Sequence, residues 1–352
     1  MKKLYVLLAA LLIAAMILPA CAPAEADCSS ADTFCVGLVT DVGKIDDKSF
    51  NQGTWEGVQL AEKELGAVVQ FIETVDAKDY DKNISTFGDA GYDVIVTVGF
   101  ALGEATIAAA AKYPDVKFIG VDQFQAWQFD DDASNDVPNV AGLGFPEDQA
   151  GFLVGALAAS MSKTNKIGAV CGTDVVPPVW RFGEGYKAGA AYADGMNGTT
   201  TEVFVVYHSD VGFDKTFTDP EWGAQTAQSM MDQGADAIFG CGGKTGNGAI
   251  TAAAQAGAYA IGVDLDQYLT LPEAAPRMLS SAVKLLTPGT FEQIKAVKDG
   301  TFVAGNVLGD AGYAPYHDLD GEVPAEVKAM MEQLNADLLS GAVTTGVPPV
   351  KP

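Results

Sequence analysis

Short, nearly continuous apolar runs alternate with longer amphipathic stretches along this chain. CVGLVTD (35–41), VVQFIE (68–73), NVAGLGF (139–145), KIGAVC (166–171) and TEVFVVY (201–207) are rich in Val and Ile. Runs of this length, apolar at successive positions, have the pattern of strands buried on both faces of a parallel sheet. Residues 50–65, 103–112, 147–161, 180–196 and 221–233 read as helices between them. Alternation of this kind predicts an α/β fold with parallel sheets.

The pattern occurs twice. GYDVIVTVGFALGEATIAAAAKYPDVKFIGVDQ begins at Gly91, and GADAIFGCGGKTGNGAITAAAQAGAYAIGVDLDQ begins at Gly234, about 143 residues later. Each opens Gly-x-Asp, enters a short strand, turns through glycine into an Ala-rich helix and leaves by a strand ending Gly-Val-Asp. A βαβ unit repeated at this distance predicts two similar lobes rather than a solenoid. The expected division is 35–143 plus 266–308 for one lobe and 144–265 plus 309–352 for the other. Chain crossings fall near 142–146, 264–268 and 305–315. Ligands of open parallel sheets bind beyond the carboxyl ends of the strands. Asp41, Gly99-Phe100, Asp122, Gly243 and Asp264 lie at those ends and would line a cleft between the lobes.

The length of 352 residues suits about two domains. The net charge of -25 argues against nucleic acid, whose phosphates require clustered Lys and Arg. The first residues, MKKLYVLLAALLIAAMILPAC, read as an export signal over 1–20, with Lys2 and Lys3 before an apolar run of 15, Leu4 to Leu18. Leu18-Pro19-Ala20-Cys21 resembles a lipobox, in which Cys21 is lipidated and becomes the mature N-terminus; an ordinary cleaved signal is the alternative. Residues 21–34 then form a lipidated tether, flexible by composition, on the extracytoplasmic face of the membrane.

Four cysteines remain, Cys28, Cys35, Cys171 and Cys241, which allow three pairings. The favoured one is 28–35 with 171–241, and free buried cysteines are the alternative. The cysteine spacing does not resemble a zinc site. The two histidines, His208 and His317, stand in no metal-binding motif. No metal, no cofactor and no catalytic centre is expected.

GCGGKTGNG, Gly240 to Gly248, resembles a phosphate loop but lacks the first glycine of the Walker pattern, since Ile238 occupies that place. A tight turn feeding a helix is the simpler reading. FDDDASND (129–136) reads as an acidic surface loop without the glycine and closing glutamate of an EF-hand. Asp46, Asp47 and Lys48 read as a solvated approach to the helix at 50–65, and Trp180 falls near the cleft, with core packing the alternative.

The run DVGKIDDKSFNQGTWEG from Asp41 resembles the signature of the basic membrane protein family, the purine nucleoside receptor-like lipoproteins that serve ABC importers. The resemblance continues in 139–159, WRFGEGYKAG, FTDPEWG, GGKTGNG and IGVDLDQ. It implies a two-lobed type I periplasmic-binding-protein fold, a purine nucleoside such as adenosine, guanosine or inosine as ligand, and a membrane permease as partner. It also implies that Phe50 and Phe217 sandwich the base, with Phe213 an alternative for the second ring. Asp41 would bond the base, Asp264 and Lys284 the ribose hydroxyls, and Gly243 would add a backbone contact. Phe100 falls near the cleft from its own strand-end position, with core packing the alternative. The chemistry is self-consistent. Aromatic faces stack on bases, worth about 1–3 kcal/mol each, and carboxylates accept from amino edges and vicinal hydroxyls. A sugar or other small-solute receptor of the same fold is the nearest rival, ahead of a nucleoside enzyme or a gene regulator.

Overall fold

The computed structural model describes residues 27–124 and 137–352. The export signal, Cys21 and the acidic run 129–136 lie outside the described residues. The chain begins β1 (Cys35–Val42), α1 (Phe50–Leu65), β2 (Val68–Thr74), α2 (Tyr80–Asp89), β3 (Val94–Val98), α3 (Gly103–Lys112), β4 (Lys117–Val121) and β5 (Val140–Gly144). It continues α4 (Glu147–Met161), β6 (Lys166–Cys171), α5 (Pro177–Asn197), β7 (Glu202–Tyr207), α6 (Phe213–Thr216), α7 (Pro220–Asp232), β8 (Ala237–Cys241), α8 (Gly243–Gln255), β9 (Tyr259–Asp264), α9 (Gln267–Thr270) and β10 (Met278–Lys284). The last elements are α10 (Leu286–Lys298), β11 (Gly305–Leu308), β12 (Ala311–Tyr313) and α11 (Ala325–Ser340).

Two six-stranded sheets form, ordered β11-β5-β4-β3-β1-β2 and β12-β10-β9-β8-β6-β7. Read from the far edge, each runs second, first, third, fourth, fifth strand of its lobe, and each ends on a strand from the C-terminal region. All pairs are parallel except β10 with β12. The α/β fold with two parallel-dominated sheets is the one the alternating pattern predicts.

Side-chain alternation explains why each sheet takes helices on both faces. Along β3, Val94, Val96 and Val98 enter one core with Val58, Leu286 and Ile294 from α1 and α10. Ile95, between them, enters the other with Ile84, Phe87 and Ala109 from α2 and α3. Successive strand residues point to opposite faces, so an uninterrupted apolar run requires cover on both.

The sheet pairing corrects one boundary. Residues 266–308 do not all belong with the first lobe. β10 pairs with β9 and β12 in the second sheet, so the middle crossing falls between Lys284 and Leu286, not near 264–268. The other crossings lie between β5 and α4 and between β11 and β12. The expected tether is also shorter than 21–34. Residues 27–34 form turns closed by Ser30 N–H to Asp27 C=O and Thr33 N–H to Ser30 C=O, and Cys28 is bonded to Cys35. The second disulfide joins Cys171 to Cys241, directly opposed at the carboxyl ends of β6 and β8.

Candidate functional site

A cavity of about 450 Å³ lies between the lobes, within the range of small-molecule sites. Asp41, Phe50, Phe100, Phe217, Gly243, Asp264 and Lys284 all line it. So do Asp47, Asp122, Phe182 and Phe213. Trp180 does not; it is buried, and its carbonyl accepts from the Tyr207 hydroxyl.

Asp41 sits at the end of β1. Its carboxyl rests against Gly99, where φ is 112° and a methyl group would overlap it. Burial, then the charges of Asp47 and Asp122, push its pKa up to about 8. At neutral pH the side chain is mainly a neutral acid that can donate one hydrogen bond and accept others.

Phe50 is the first residue of α1, and the loop before it is shaped by Asp47. That carboxylate accepts from the backbone N–H groups of Ser49, Asn51 and Gln52 at 2.9, 3.0 and 3.1 Å. It thus serves the orphan donors of the helix N-terminus. Asp47 is therefore buried, not solvated as its charged neighbours imply. Burial raises its pKa to about 6, against the pull of those three N–H groups. The spacing of an aspartate two residues before a serine and three before the first helical residue is the capping signal that could have identified it.

Phe217 follows α6 and lays its ring against Gly172, the residue after β6. Phe213, at the start of α6, is half-exposed at the same wall. Gly243 opens α8, so GCGGKTGNG is a turn into a helix N-terminus. Phe100 starts a short 3-10 turn after β3. Asp122 and Asp264, the last residues of the repeated Gly-Val-Asp, share a left-handed backbone, with φ of 56° and 66°. The sequence repeat is thus also a repeat of geometry at the cavity floor.

Lys284 closes that floor. Its ammonium lies 2.5 Å from Asp122 Oδ2 and 3.2 Å from Glu147 Oε1. The rings of Phe50, Phe182 and Phe145 surround it, with centroids at 5.0, 5.4 and 5.6 Å. Burial opposes this charge, but the fields of Asp122, Glu147 and Asp264 outweigh it and raise the Lys284 pKa. Burial raises the carboxyls of Asp122, Glu147 and Asp264, with the lysine opposing it in each case. Glu147 is further held by Arg181 at 2.9 Å, which also pairs with Asp148. The simple expectation that Lys284 offsets Asp264 needs amending. The lysine pairs directly with Asp122 and Glu147, while Asp264 Oδ2 accepts from the Ser49 hydroxyl at 2.6 Å. Glu147 and Arg181 lie in the stretches 139–159 and WRFGEGYKAG that carry the resemblance, but no role is read for them there, since an acidic first helical turn such as that of Glu147 is ordinary on solvation grounds alone.

The cavity thus brings together carboxyls at strand ends, aromatic rings and the buried ammonium of Lys284, with Lys44 and Lys244 also on its lining. Among the described residues no group of three or more His, Cys, Asp or Glu is arranged to hold a metal ion. Nor is any helix there long and apolar enough to cross a membrane.

The chain is similar over nearly its whole length to an "ABC transporter nucleoside-binding protein BmpA" of Lactococcus lactis, 28% identical with 98% of this chain and 99% of the relative covered. An "uncharacterized lipoprotein" of Pyrococcus abyssi is 30% identical, with 81% of this chain and 69% of the relative covered. A crystal structure of an ABC transporter system solute-binding protein from Aeropyrum pernix superposes with a TM-score of 0.76 at 26% identity, covering 88% of this chain and 92% of that one. The family model described as "ABC transporter substrate-binding protein PnrA-like" matches residues 34–309. The chain belongs to this Bmp family of ABC transporter substrate-binding proteins.

Proposed function

We propose that this protein is a lipid-anchored extracytoplasmic receptor that captures a purine nucleoside and delivers it to the permease of an ABC importer. The observation that carries the reading is the meeting of Phe50 and Phe217, from opposite lobes, in one cavity with Asp41 and Asp264. Aromatic rings from two lobes suit the two faces of a base. Asp41 suits its polar edge, and Asp264 beside Lys284 suits the ribose hydroxyls. The nucleoside named in the Lactococcus lactis relative supports the same ligand class.

The surrounding carboxyls disfavour a phosphate. Asp47, Asp122 and Asp264 line the cavity, Lys284 is already paired with Asp122 and Glu147, and the other lining lysines, Lys44 and Lys244, are paired with Glu73 and Asp46. Hinge bending about the three crossings would enclose the ligand, as in other two-lobed binding proteins. Ultraviolet spectroscopy of small molecules released by denaturing the purified protein tests the ligand class. A purine spectrum supports the reading, and a bound carbohydrate without aromatic absorbance replaces it with a sugar receptor.

A further inference from the structure

One loop of the first lobe grips the second at atoms that no ligand needs to touch. Asp46–Ser49 is the end of the loop, residues 43–49, that joins β1 to α1. Its shape is set within its own lobe by the Asp47 carboxylate, which holds the N–H groups of Ser49, Asn51 and Gln52 at the cap and first turn of α1, and by the left-handed backbone of Lys48, φ 66°. This geometry turns two main-chain carbonyls towards the other lobe.

Three side chains of the second lobe meet them. Asn247 Nδ2, on α8, donates to the Asp47 carbonyl at 2.8 Å. Gln267 Nε2 and Thr270 Oγ1, on α9, donate to the Lys48 carbonyl at 3.0 and 2.8 Å. The acceptor side is thus made of backbone, and the donor side is pre-assembled. Gln267 Nε2 also donates to Asn247 Oδ1 at 2.9 Å, and Gln267 Oε1 accepts from Val263 N–H at 2.9 Å. Gln267 is fully buried, and Asn247 nearly so. A fourth bond, Ser49 Oγ to Asp264 Oδ2 at 2.6 Å, ties the loop to a cavity carboxyl.

We infer that Asp47, Asn247, Gln267 and Thr270 form a lobe-to-lobe latch that holds the closed conformation and slows ligand escape. They are positioning residues: Asp47 shapes the strike, and the other three are the catch. The latch lies beside the middle crossing: Lys284, just before it, has its ammonium 5.0 Å from the ring centroid of Phe50, and Thr287, just after it, donates from Oγ1 to the Gly53 carbonyl at 2.9 Å. The three bonds join the loop of one lobe to α8 and α9 of the other, so a hinge motion that parts the loop from those helices must break them. A contact specific to one of two conformations shifts the population towards it. It therefore slows release without adding a ligand contact. The ligand part of the inference rests on the proposed function; the conformational part does not.

The test compares the mature chain with Asn247→Asp/Thr270→Val. These changes keep side-chain volume but remove two donors and set a carboxylate against the Asp47 carbonyl. Small-angle scattering of ligand-free protein should show a larger radius of gyration in the variant. The dissociation rate of radiolabelled adenosine should rise roughly 5- to 100-fold, the span for two neutral hydrogen bonds, with an association rate changed less than about threefold. Thr270→Val alone, at a partly exposed position, should give a smaller change of the same sign and keeps the test decisive if the double variant fails to fold. Identical scattering overturns the latch, as does an unchanged dissociation rate in protein that binds adenosine. If the unaltered protein binds none of adenosine, guanosine and inosine, the nucleoside reading fails instead, and scattering alone decides the latch.

Discussion

Lys284 and Asp122 form an ion pair across the two lobes, with Nζ 2.5 Å from Oδ2. Lys284 ends β10 of the second sheet, and Asp122 follows β4 of the first. Glu147, at the crossing into α4, joins the same ammonium from beneath. The charge at the cavity floor is thus also a fastening between lobes, next to two of the three crossings. Removing one partner of a buried pair leaves an uncompensated charge, at a cost of about 3–5 kcal/mol. Lys284→Met should lower unfolding stability by that order in urea denaturation, and Asp122→Asn in the same chain should restore part of it.

Asp41 predicts how stability varies with pH. Its folded pKa of about 8 lies above the ordinary carboxylate value near 4 in an unfolded chain, about 3.9. Between those values the native state holds a proton that the unfolded state has released. Stability contributed by this group is therefore full below pH ~4 and is lost as pH rises through about 8. Asp47, raised to about 6, acts with the same sign over a narrower window. Asp41→Asn should flatten the fall in denaturation midpoint between pH 4 and 8, and an unchanged slope would remove Asp41 as its source.

If the proposed nucleoside reading holds and Asp41 meets the base edge, the same proton would discriminate among purines. N1 of adenosine accepts a hydrogen bond, which suits the neutral acid. N1–H of guanosine or inosine donates, which suits the carboxylate. Calorimetry in buffers of differing ionisation enthalpy should show proton release at pH 7 on binding guanosine or inosine and little on binding adenosine.

Gly172 supports the aromatic wall. A methyl group there would overlap the Phe217 ring, and overpacking of this kind costs about 1–3 kcal/mol where the neighbour cannot shift. The ring has the cavity to move into. Gly172→Ala should therefore weaken nucleoside binding about tenfold or more while changing the thermal midpoint little. Phe217→Ala should lose a comparable amount through the missing stack, about 1–3 kcal/mol.

The two disulfides should differ in stabilising effect. Cys171–Cys241 spans a sequence separation of 70 and Cys28–Cys35 one of 7. Chain-entropy reasoning gives about 4 kcal/mol for the long loop and about 2 for the short one. Replacing each pair by alanine and measuring urea unfolding should reproduce that order.

Much of this molecule is legible in its sequence because the information is local or repeated. Apolar runs mark the buried strands β1, β5 and β6, although β2 and β7 carry the same pattern at sheet edges with Phe71 and Val206 exposed, and the twofold Gly-Val-Asp places Asp122 and Asp264 at equivalent strand ends. The misassignment of 266–308 has a physical origin. β10 reads as a buried strand wherever it pairs, and nothing in Met278–Lys284 encodes which sheet receives it. Glu147 and Arg181 were illegible for a related reason: their meaning lies in partners more than thirty residues away. The latch depends on two backbone carbonyls, which carry no side-chain signal at all. Asp47 is different, since its capping spacing was present and was outweighed by the charges beside it.

The most direct measurement is titration calorimetry of the mature chain with adenosine, guanosine, inosine, AMP, ribose and galactose, repeated on Phe50→Ala. Tight binding of at least one purine nucleoside, much weaker binding of AMP and the sugars, and a loss of tenfold or more in Phe50→Ala is the predicted result. AMP binding as tightly as adenosine, or galactose binding where every nucleoside is silent, would contradict the nucleoside site.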